Sequence, residues 1–403
     1  MKKFILVLLA VIMLLSSCTF TVETKEDKTE NNQKFVGVWF TYNEIKDLCN
    51  NCNSEVELNE HINEIFTEIK KYKVNNIFLH VRAFDDCFYK SSIFCVSDYC
   101  KDNDGNLKFD ILYHFVKAAK EFNISVHAWL NPYRIRNDIQ IDKIPKTSYV
   151  RKLLDENGND ERIIITDNSI YYNPAYPDVQ NYVLNGVREI LENYEVNGIH
   201  IDDYFYPTTT EEIDKNIYNN YLNSGGTFKL ADFRRNAVNS LICSIYSLVK
   251  SYNDDILVSI SPSADIEKNY DNYYADVTLW TQNKGYADII IPQLYYGFEH
   301  LTMPFNELLN KWMNLQSENS KIVIGLAVYK AGKEDIYAKS GSNEWLENTN
   351  IIANQINTIY NSNAYGWSYF SASYLYKYSS ETLKAEKENI IYAIDTIWKD
   401  YVT

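Results

Sequence analysis

Eight short apolar segments between residues 35 and 371 alternate with stretches that carry the spacing of amphipathic helices. Apolar residues at every second position predict a strand, and apolar residues three or four positions apart predict a helix. Strands that alternate with helices build parallel βαβ units, and eight such units close into a barrel. The chain is therefore predicted to be an α/β protein, a (β/α)8 TIM barrel. The predicted strands are FVGVWFT (35–41), NNIFLHVRAF (75–84), ISVHAWLN (124–131), NGIHIDDYF (197–205), ILVSISP (256–262), ADIIIPQLY (287–295), KIVIGLAVY (321–329) and YGWSYFS (365–371).

One connection in this pattern is much longer than the others. Residues 132–177 separate the third predicted strand from the helix that follows it. This insertion begins at the carboxyl end of a strand, which is the end of a barrel where active sites are built. We expect a lid or a cleft wall there, although a segment of this length could also be a spacer. The rest of 35–403 has no linker composition and no repeat, so it is expected to be a single domain.

The first 18 residues have the pattern of an export signal. Lys2 and Lys3 precede an apolar run over 4–15 that is shorter than the ~20 residues of a membrane span. The run leads into LSSC, which resembles the lipobox at which bacterial lipoproteins are cleaved and lipidated on the cysteine, here Cys18. Residues 19–34 are polar and charged, as in a flexible tether. The sequence thus predicts an extracytoplasmic protein that a lipid on Cys18 anchors to the cell membrane; the alternative is an ordinary signal peptide with a chance cysteine.

The charge balance narrows the choice of partners. The chain has 54 acidic and 39 basic residues, and its net charge is −15. A surface this negative repels the phosphate backbone, so nucleic acid is excluded as a partner and a neutral or mixed-charge substrate is favoured. We expect a monomer that needs no cofactor.

Six cysteines remain besides Cys18. Disulfides are permitted outside the cytoplasm, but six cysteines allow fifteen pairings. The CNNC stretch at 49–52 has no second CxxC pair, which disfavours a metal site. We expect disulfides between the segments 49–52 and 87–100, or free thiols if the habitat is reducing.

Three consecutive strands place polar side chains on the face that points into the predicted barrel. Side chains alternate between two faces along a strand, and the opposite faces of these strands are apolar. Polar groups inside a barrel are costly unless they serve a site, and these lie towards the strand ends where barrel enzymes act. Each histidine could instead be a hydrogen-bonded core residue, and the arginine a simple counter-ion. The predicted inward polar residues are His80, Arg82, His127, Asn131, His200 and Asp202.

Asp202 is the predicted principal carboxylate. Beside Arg82 and the histidines it is expected to stay ionised, because nearby positive charge favours the charged form. Cleavage of a glycoside needs such a group and a second carboxyl that protonates the leaving oxygen. Asp203 is preferred as the second catalytic residue for its proximity, although consecutive residues rarely flank one bond from both sides. The alternatives near predicted strand ends are Asp85, Asp265 and Glu299.

Aromatic side chains cluster at the predicted mouth of the barrel. Their faces suit the C–H surfaces of sugar rings, and tyrosine or tryptophan also offers a hydrogen bond. Aromatic residues fill barrel mouths through packing as well, so about half of these are expected to contact a ligand. The residues concerned are Trp39, Trp129, Tyr133, Tyr204, Tyr206, Tyr295, Tyr296 and Trp367.

Six motifs resemble, in chain order, the strand motifs of the bacterial glycosyl-hydrolase-like family ten. They are NNIFLHVRAFDDCFYKS, HAWLNPYR, GIHIDDYFYP, ISPSA, PQLYY and GLAVYKAG, and the resemblance runs from about residue 35 to 375. HAWLNPYR together with DDYFYP is the most specific pair. In the fourth strand, GIHID is also similar to amylase-type barrels, where a carboxylate at the position of Asp202 is the nucleophile.

The resemblance implies a barrel glycosidase of the cell envelope, and the best understood kind in that family cleaves the glycan strands of peptidoglycan. It implies site roles at the matching motif positions Arg82, Asp85, His127, Asn131, Arg134, Asp202, Asp203, Tyr204 and Gln293. Together with the inner-face and aromatic patterns, it gives Asp202 and Asp203 as the catalytic residues. The predicted substrate-binding residues are Arg82, Asp85, His127, Trp129, Asn131, Tyr133, Arg134, His200, Tyr204, Gln293 and Tyr295.

The sequence therefore predicts a membrane-anchored glycoside hydrolase that acts outside the cytoplasm on a polysaccharide, with peptidoglycan glycan as the expected substrate. An alternative is a carbohydrate-binding lipoprotein that kept the barrel and lost hydrolysis. A metal-dependent polysaccharide deacetylase ranks lower. No HxxxH occurs among the six histidines, and the inward ones come from separate strands, so no metal site is predicted.

Overall fold

Eight parallel strands pair in chain order and close into a barrel. The structure is a computed structural model that describes residues 34–157 and 160–402. The predicted (β/α)8 fold is confirmed, and each barrel strand lies within its predicted segment. The barrel strands are β1 (Phe35–Phe40), β2 (Asn76–Arg82), β3 (Ser125–Leu130), β4 (Gly198–Ile201), β5 (Leu257–Ile260), β6 (Ile289–Ile290), β7 (Lys321–Leu326) and β8 (Gly366–Phe370).

Helices occupy the connections and cover the outside of the barrel. Parallel strands joined in this way are buried on both faces, which is why their sequences are so apolar. Ser54 and Asp110 begin two of these helices by accepting backbone hydrogen bonds with their side chains. The helices are α1 (Tyr42–Asn51), α2 (Glu55–Lys70), α3 (Ile111–Phe122), α4 (Tyr149–Asn157), α5 (Pro177–Asn193), α6 (Lys215–Asn223), α7 (Leu230–Tyr252), α8 (Ile266–Asp271), α9 (Val277–Gln282), α10 (Phe305–Met313), α11 (Glu344–Glu347), α12 (Ile351–Asn361), α13 (Ser373–Tyr376) and α14 (Glu381–Val402).

Two apolar clusters hold these layers together. The outer cluster packs helix faces against the strands and includes Ile77 and Leu79 of β2. The inner cluster fills the barrel, where Phe78 of the same strand lies among aromatic and aliphatic side chains. Alternation along β2 therefore places side chains as predicted up to His80. The inner cluster consists of Phe35, Trp39, Phe78, Trp129, Ile289, Ile291 and Val323.

The alternation breaks at the end of β2. His80 pairs with Trp129 of β3, whereas Arg82 pairs with Leu130, so the register shifts by one residue between them. A bulge of this kind turns the side chains that follow it to the other face of the sheet. Arg82 consequently leaves the barrel interior, and the composition of the predicted site changes with it.

The insertion after β3 has secondary structure of its own. It contains α4 and a three-stranded antiparallel sheet in which Ile170–Tyr172 pairs with Arg134–Arg136 on one side and Ile163–Ile165 on the other. Its first strand begins only four residues after β3 ends. The insertion therefore continues directly from the rim of the barrel.

A disulfide joins Cys49 to Cys100, as expected from the two segments to which these cysteines belong. The other cysteines of the described residues, Cys52, Cys87, Cys95 and Cys243, are free thiols. Across residues 34–157 and 160–402, no helix has the length and apolarity needed to cross a membrane. The predicted signal segment and Cys18 lie outside the described residues.

Candidate active site

A cleft of about 360 Å³ opens where the barrel strands end. The strands are parallel, so their carboxyl ends share one rim, and side chains from distant parts of the chain converge there. His80 contributes to the wall of this cleft from β2. Of the predicted catalytic and substrate-binding residues, those in its wall are Trp129, Arg134, Asp202, Asp203, Tyr204 and Gln293.

Asp202 directly follows β4 and is only 3% exposed in the cleft wall. Its Oδ2 accepts hydrogen bonds from Trp129 Nε1 at 3.1 Å and from Asn131 Nδ2 at 3.3 Å. Its Oδ1 has no hydrogen-bond partner within the described part of the chain. One oxygen is thus held by two neutral donors, while the other is a buried acceptor without a partner.

The pKa of Asp202 is raised from 3.8 to about 7, first by burial and then by the charge of Asp203. The Trp129 hydrogen bond and the Arg134 charge act in the opposite direction. The expectation that Asp202 stays ionised is therefore wrong. The histidines nearby supply no positive charge, because burial lowers the pKa values of His80 and His200 well below 6.5. Near neutral pH, Asp202 is balanced between the acid and the carboxylate.

Asp203 also lies in the cleft wall, although simple alternation would turn it outward. The chain bends at Asp203, just after β4 ends, and this bend keeps the residue in the cleft wall. Burial raises the pKa of Asp203, while a hydrogen bond with Gln293 and the charges of Arg134 and Lys268 lower it. Two consecutive carboxyl groups thus share one cleft but differ in the groups that stabilise their charge.

Arg134, from the first strand of the insertion, is the cation beside this pair. Its guanidinium lies between the rings of Phe84 and Tyr204, 4.7 Å and 4.5 Å from their centres. Asn131 fixes the turn that leads to it, because its Oδ1 accepts a hydrogen bond from the Arg134 backbone N at 3.0 Å. Asn131 therefore orients Asp202 and positions Arg134 with one side chain.

Arg82 was predicted to lie beside Asp202, and this prediction is wrong. After the bulge in β2, its guanidinium lies 3.6 Å from Asp85 and donates to the Asn131 carbonyl oxygen at 2.5 Å. Asp85 also accepts a hydrogen bond from Tyr182 of α5 at 3.0 Å. Asp85 lines a second cavity of about 270 Å³ whose other walls include the insertion. Both residues are outside the cleft wall.

His127 and His200 point into the barrel, but the structure does not place them in the cleft wall. His127 Nε2 is 2.9 Å from Asn76 Oδ1, which lies at the start of β2. His200 Nε2 accepts a hydrogen bond from Trp39 at 3.0 Å, and its Nδ1 is 2.8 Å from Ser259 Oγ. Both are fully buried, hydrogen-bonded core histidines. They support the layer beneath the cleft and are not positioned for the substrate-binding role predicted for them.

His80 is the inward histidine that reaches the cleft. Its ring stacks on Trp129 with ring centres 3.6 Å apart and an angle of 8° between the planes. Neither ring nitrogen has a hydrogen-bond partner among the described residues. A buried, neutral imidazole without partners is costly unless a ligand satisfies it. His80 was anticipated as an inward residue but was not counted among the substrate-binding residues.

The predicted aromatic residues divide between the cleft and the core. Tyr133 is fully buried and lies outside the cleft wall, contrary to its predicted substrate-binding role. Tyr295 lines an adjoining cavity that shares Gln293 and Tyr329 with the cleft. The aromatic residues that are fully or almost fully buried in the core are Trp39, Tyr206 and Trp367.

Five further aromatic residues of the cleft wall were not predicted from the sequence. They come from the ends of β1, β7 and β8 and from the short segments that follow these strands. The available signal was their position, since residues that follow a barrel strand face the catalytic rim. They are Tyr42, Tyr329, Phe370, Tyr374 and Tyr378.

The alternative acids lie away from the cleft. Asp265 caps α8 by accepting a hydrogen bond from the Lys268 backbone N at 3.0 Å, and it lines a separate cavity. Glu299 is exposed on the protein surface. Of the carboxylates considered from sequence, Asp203 is the one that the structure brings together with Asp202. The cleft therefore offers a proton donor or acceptor pair, a flanking cation and aromatic walls.

Two named relatives align with this chain. Glycosyl hydrolase YngK of Bacillus subtilis (strain 168) is 27% identical over 288 residues, which is 66% of this chain and 55% of that protein. Glycosyl hydrolase DigH of Escherichia coli (strain K12) is 27% identical over 295 residues, which is 66% of this chain and 64% of that protein. The chain thus spans between half and two thirds of the length of these relatives.

Solved structures share the barrel. The glycoside hydrolase domain of PgaB (BpsB) from Bordetella bronchiseptica superposes with a TM-score of 0.56 and 11% identity, covering 89% of this chain and 98% of that one. The catalytic domain of β-amylase from Paenibacillus polymyxa gives 0.56 and 8% over the same shares. Identities this low show the fold alone. The sequence match is more specific, since the model of one family covers residues 34–342, and the chain belongs to that family, Glycosyl hydrolase-like 10.

Proposed function

We propose that this protein is a membrane-anchored glycoside hydrolase that acts outside the cytoplasm on a polysaccharide, namely the glycan strands of peptidoglycan. The observation that carries the proposal is the pair of carboxyl groups, Asp202 and Asp203, in one aromatic-walled cleft at the catalytic end of the barrel. Hydrolysis of a glycosidic bond requires an acid for the leaving oxygen and a carboxylate for the developing positive charge. This cleft contains both kinds of group.

The cleft suits a sugar chain better than a charged ligand. Tyr42, Tyr329 and Tyr374 give it aromatic walls, and such faces pack against the C–H surfaces of sugar rings. The unpartnered nitrogens of His80, a residue of the cleft wall, can hydrogen-bond to a sugar hydroxyl. The net charge of −15 disfavours polyanions. The names of YngK and DigH, both glycosyl hydrolases, agree with this class of substrate.

Peptidoglycan is the proposed polysaccharide because the sequence predicts a location at the outer face of the cell membrane. Residues 1–18 resemble a lipoprotein signal, and 19–34 would tether the barrel to a lipid on Cys18. An enzyme held there faces the cell wall. The anchoring is tested with Cys18→Ser. We expect this variant to incorporate no labelled palmitate and to leave the membrane fraction. A variant that stays in the membrane fraction would contradict the lipid anchor.

The activity is tested with Asp202→Asn on purified peptidoglycan glycan strands. We expect the wild-type protein to release reducing ends and the variant to lose that release by roughly 1000-fold or more while keeping its fold by circular dichroism. Asp265→Asn is the matched control, since it changes a carboxylate outside the cleft and leaves a residue that also caps helices. Full turnover by Asp202→Asn would contradict the assignment. Wild-type binding without any release of reducing ends would instead support the carbohydrate-binding alternative.

A further inference from the structure

The two carboxyl groups of the cleft come from consecutive residues at the end of one strand. In a direct displacement, the two carboxyls flank the scissile bond from opposite sides and lie about 5 to 9.5 Å apart, depending on whether configuration is retained or inverted. Asp202 and Asp203 are joined by one peptide bond and both line the cleft after β4, an arrangement that favours approach to a bound sugar from one side. Such a pair can supply an acid, but it is poorly suited to flanking the scissile bond from both sides.

Two further carboxylates line the cleft, and both are engaged. The carboxylate of Glu44 accepts hydrogen bonds from the backbone N of Thr41, the backbone N of Ser373 and the hydroxyl of Ser371. These bonds cap α1 and tie it to the segment after β8. Asp47 forms an ion pair with Lys377 at 2.6 Å. Among the described residues of the cleft wall, neither is a free carboxylate facing Asp202.

We propose that the nucleophile is supplied by the substrate: the carbonyl oxygen of a 2-acetamido group attacks the anomeric carbon of its own sugar, with Asp202 as the acid and Asp203 as the group that binds the acetamido N–H. This proposal rests on the glycoside hydrolase activity proposed above. It restricts the sugar at the cleavage point to an N-acetylated aminosugar.

The hydrogen bonds of Asp202 fit the role of the acid. Trp129 and Asn131 both donate to Oδ2, which leaves the unpartnered Oδ1 to carry the proton and deliver it to the leaving oxygen. A pKa of about 7 keeps a large fraction of Asp202 protonated at neutral pH. Burial raises the pKa of Asp203 as well, but a hydrogen bond with Gln293 and the charges of Arg134 and Lys268 oppose that rise and favour its carboxylate form. Neighbouring acids whose environments differ in this way divide the acid and anion roles.

The reaction balances without any further reactant. In the first step, the acetamido oxygen forms a bond to C1, the glycosidic C1–O bond breaks, and Asp202 gives its proton to the departing oxygen. The product is a bicyclic oxazolinium ion whose N–H⁺ is paired with the Asp203 carboxylate. In the second step, water attacks C1 and gives a proton to the Asp202 carboxylate, and the bond between C1 and the acetamido oxygen breaks to restore the acetamido group. Two displacements at C1 retain its configuration.

The test compares peptidoglycan glycan strands that differ only in the acyl group on nitrogen. Wild-type protein is assayed on N-acetyl strands and on strands that are de-N-acetylated and re-acylated with trifluoroacetyl. Trifluoroacetyl has nearly the size of acetyl but withdraws electrons from the attacking oxygen. We expect the rate of reducing-end release to fall roughly 100-fold, because the intramolecular attack is lost while binding is kept. A glucosamine-derived thiazoline, the sulfur analogue of the intermediate, should inhibit competitively.

Equal rates on the two kinds of strand, or a first-formed product of inverted configuration by NMR, would overturn the substrate-assisted route while leaving the hydrolase activity intact. Absence of cleavage of N-acetyl strands by the wild-type protein would overturn the proposed function itself, so the two failures are distinguishable. As a second readout, Asp203→Asn should lose kcat with little change in KM. Wild-type kcat in that variant would also overturn the role given to Asp203.

Discussion

The indole Nε1 of Trp129 donates a hydrogen bond to Oδ2 of Asp202 across 3.1 Å, so a residue of β3 sets the electrostatics of the acid that follows β4. The same indole ring stacks on His80 of β2. Three adjacent strands are thereby connected through side chains at the catalytic rim. Because the hydrogen bond stabilises the charged form of Asp202, its removal has a predictable direction.

Trp129→Phe should raise the pKa of Asp202 above its value of about 7, since the hydrogen bond that lowers it is lost. The alkaline limb of the pH profile of kcat/KM should therefore move to higher pH, by up to about one unit, and kcat/KM at the optimum should fall roughly 10- to 100-fold. The phenyl ring preserves the stacking surface for His80. Tyr113→Phe, on the exposed face of α3, is the aromatic control and should match the wild-type profile. An unshifted limb in Trp129→Phe would contradict the link between this hydrogen bond and the acid.

Variants of Arg134 test the alkaline limb of the pH profile in a second, independent way. Arg134→Gln removes the positive charge that lowers the pKa values of Asp202 and Asp203, so the alkaline limb should shift upward in this variant. Arg134→Lys keeps the charge but loses the flat stacking between Phe84 and Tyr204, so its limb should stay close to the wild-type position while kcat/KM falls roughly tenfold. The measurement is the pH profile of reducing-end release. Indistinguishable limbs for the two variants would show that charge at this position does not act on the pair.

The strands and their order were predictable because periodicity reports burial on both faces of a parallel barrel. The direction of each side chain was predictable where the strand is regular. Phe78, His80 and Trp129 therefore point into the barrel, as alternation predicts. It failed at Arg82, because one extra residue in a ladder reverses every side chain that follows. The composition of β2 contains no glycine or proline that would mark this bulge. The true cation, Arg134, was found only through its motif.

The charge states were harder to predict than the positions. His80 and Asp202 both line the cleft, while His200 lies outside its wall, and inward histidines were expected to supply positive charge beside the carboxylate. Burial reverses that expectation, since it lowers the pKa of both histidines and raises that of the carboxyl group. Desolvation depends on the depth of packing around a group, which alternation along one strand does not report.

Asp202→Asn should stabilise the protein in a pH-dependent way. The folded-state pKa of Asp202 is about 7 against an ordinary value of 3.8, so folding holds the proton more tightly than the unfolded chain does. The contribution of Asp202 to stability is complete below about pH 4 and is lost as the pH rises to about 7. Asparagine does not ionise and avoids this loss. The advantage of the variant should grow between pH 4 and 7 to at most about 4 kcal/mol and stay constant above.

The measurement is urea unfolding of wild type and Asp202→Asn at several pH values. A difference in the free energy of unfolding that does not change with pH would contradict the raised pKa. Asp265→Asn, a carboxyl-to-amide change outside the cleft, is the matched control. Stability and activity would then change in opposite directions in Asp202→Asn, as is common where an active site contains a desolvated charge.

The segment that follows Asp202 and Asp203 is held in place by a buried arginine. Arg234 of α7 is fully buried, and its Nε lies 2.5 Å from Asp214 Oδ2. Its guanidinium also donates hydrogen bonds to the backbone carbonyl oxygens of Thr209 at 3.0 Å and Thr210 at 2.6 Å, so one side chain holds the connection between β4 and α6 in place.

Arg234→Met should lower the free energy of unfolding by about 3 to 5 kcal/mol, because it leaves the Asp214 carboxylate buried and without its ion-pair partner. The double variant Arg234→Met/Asp214→Leu should recover part of that loss, since no isolated charge remains. Urea unfolding of both variants at pH 7 decides the point, and a double variant less stable than Arg234→Met would show that the carboxylate has support beyond this arginine.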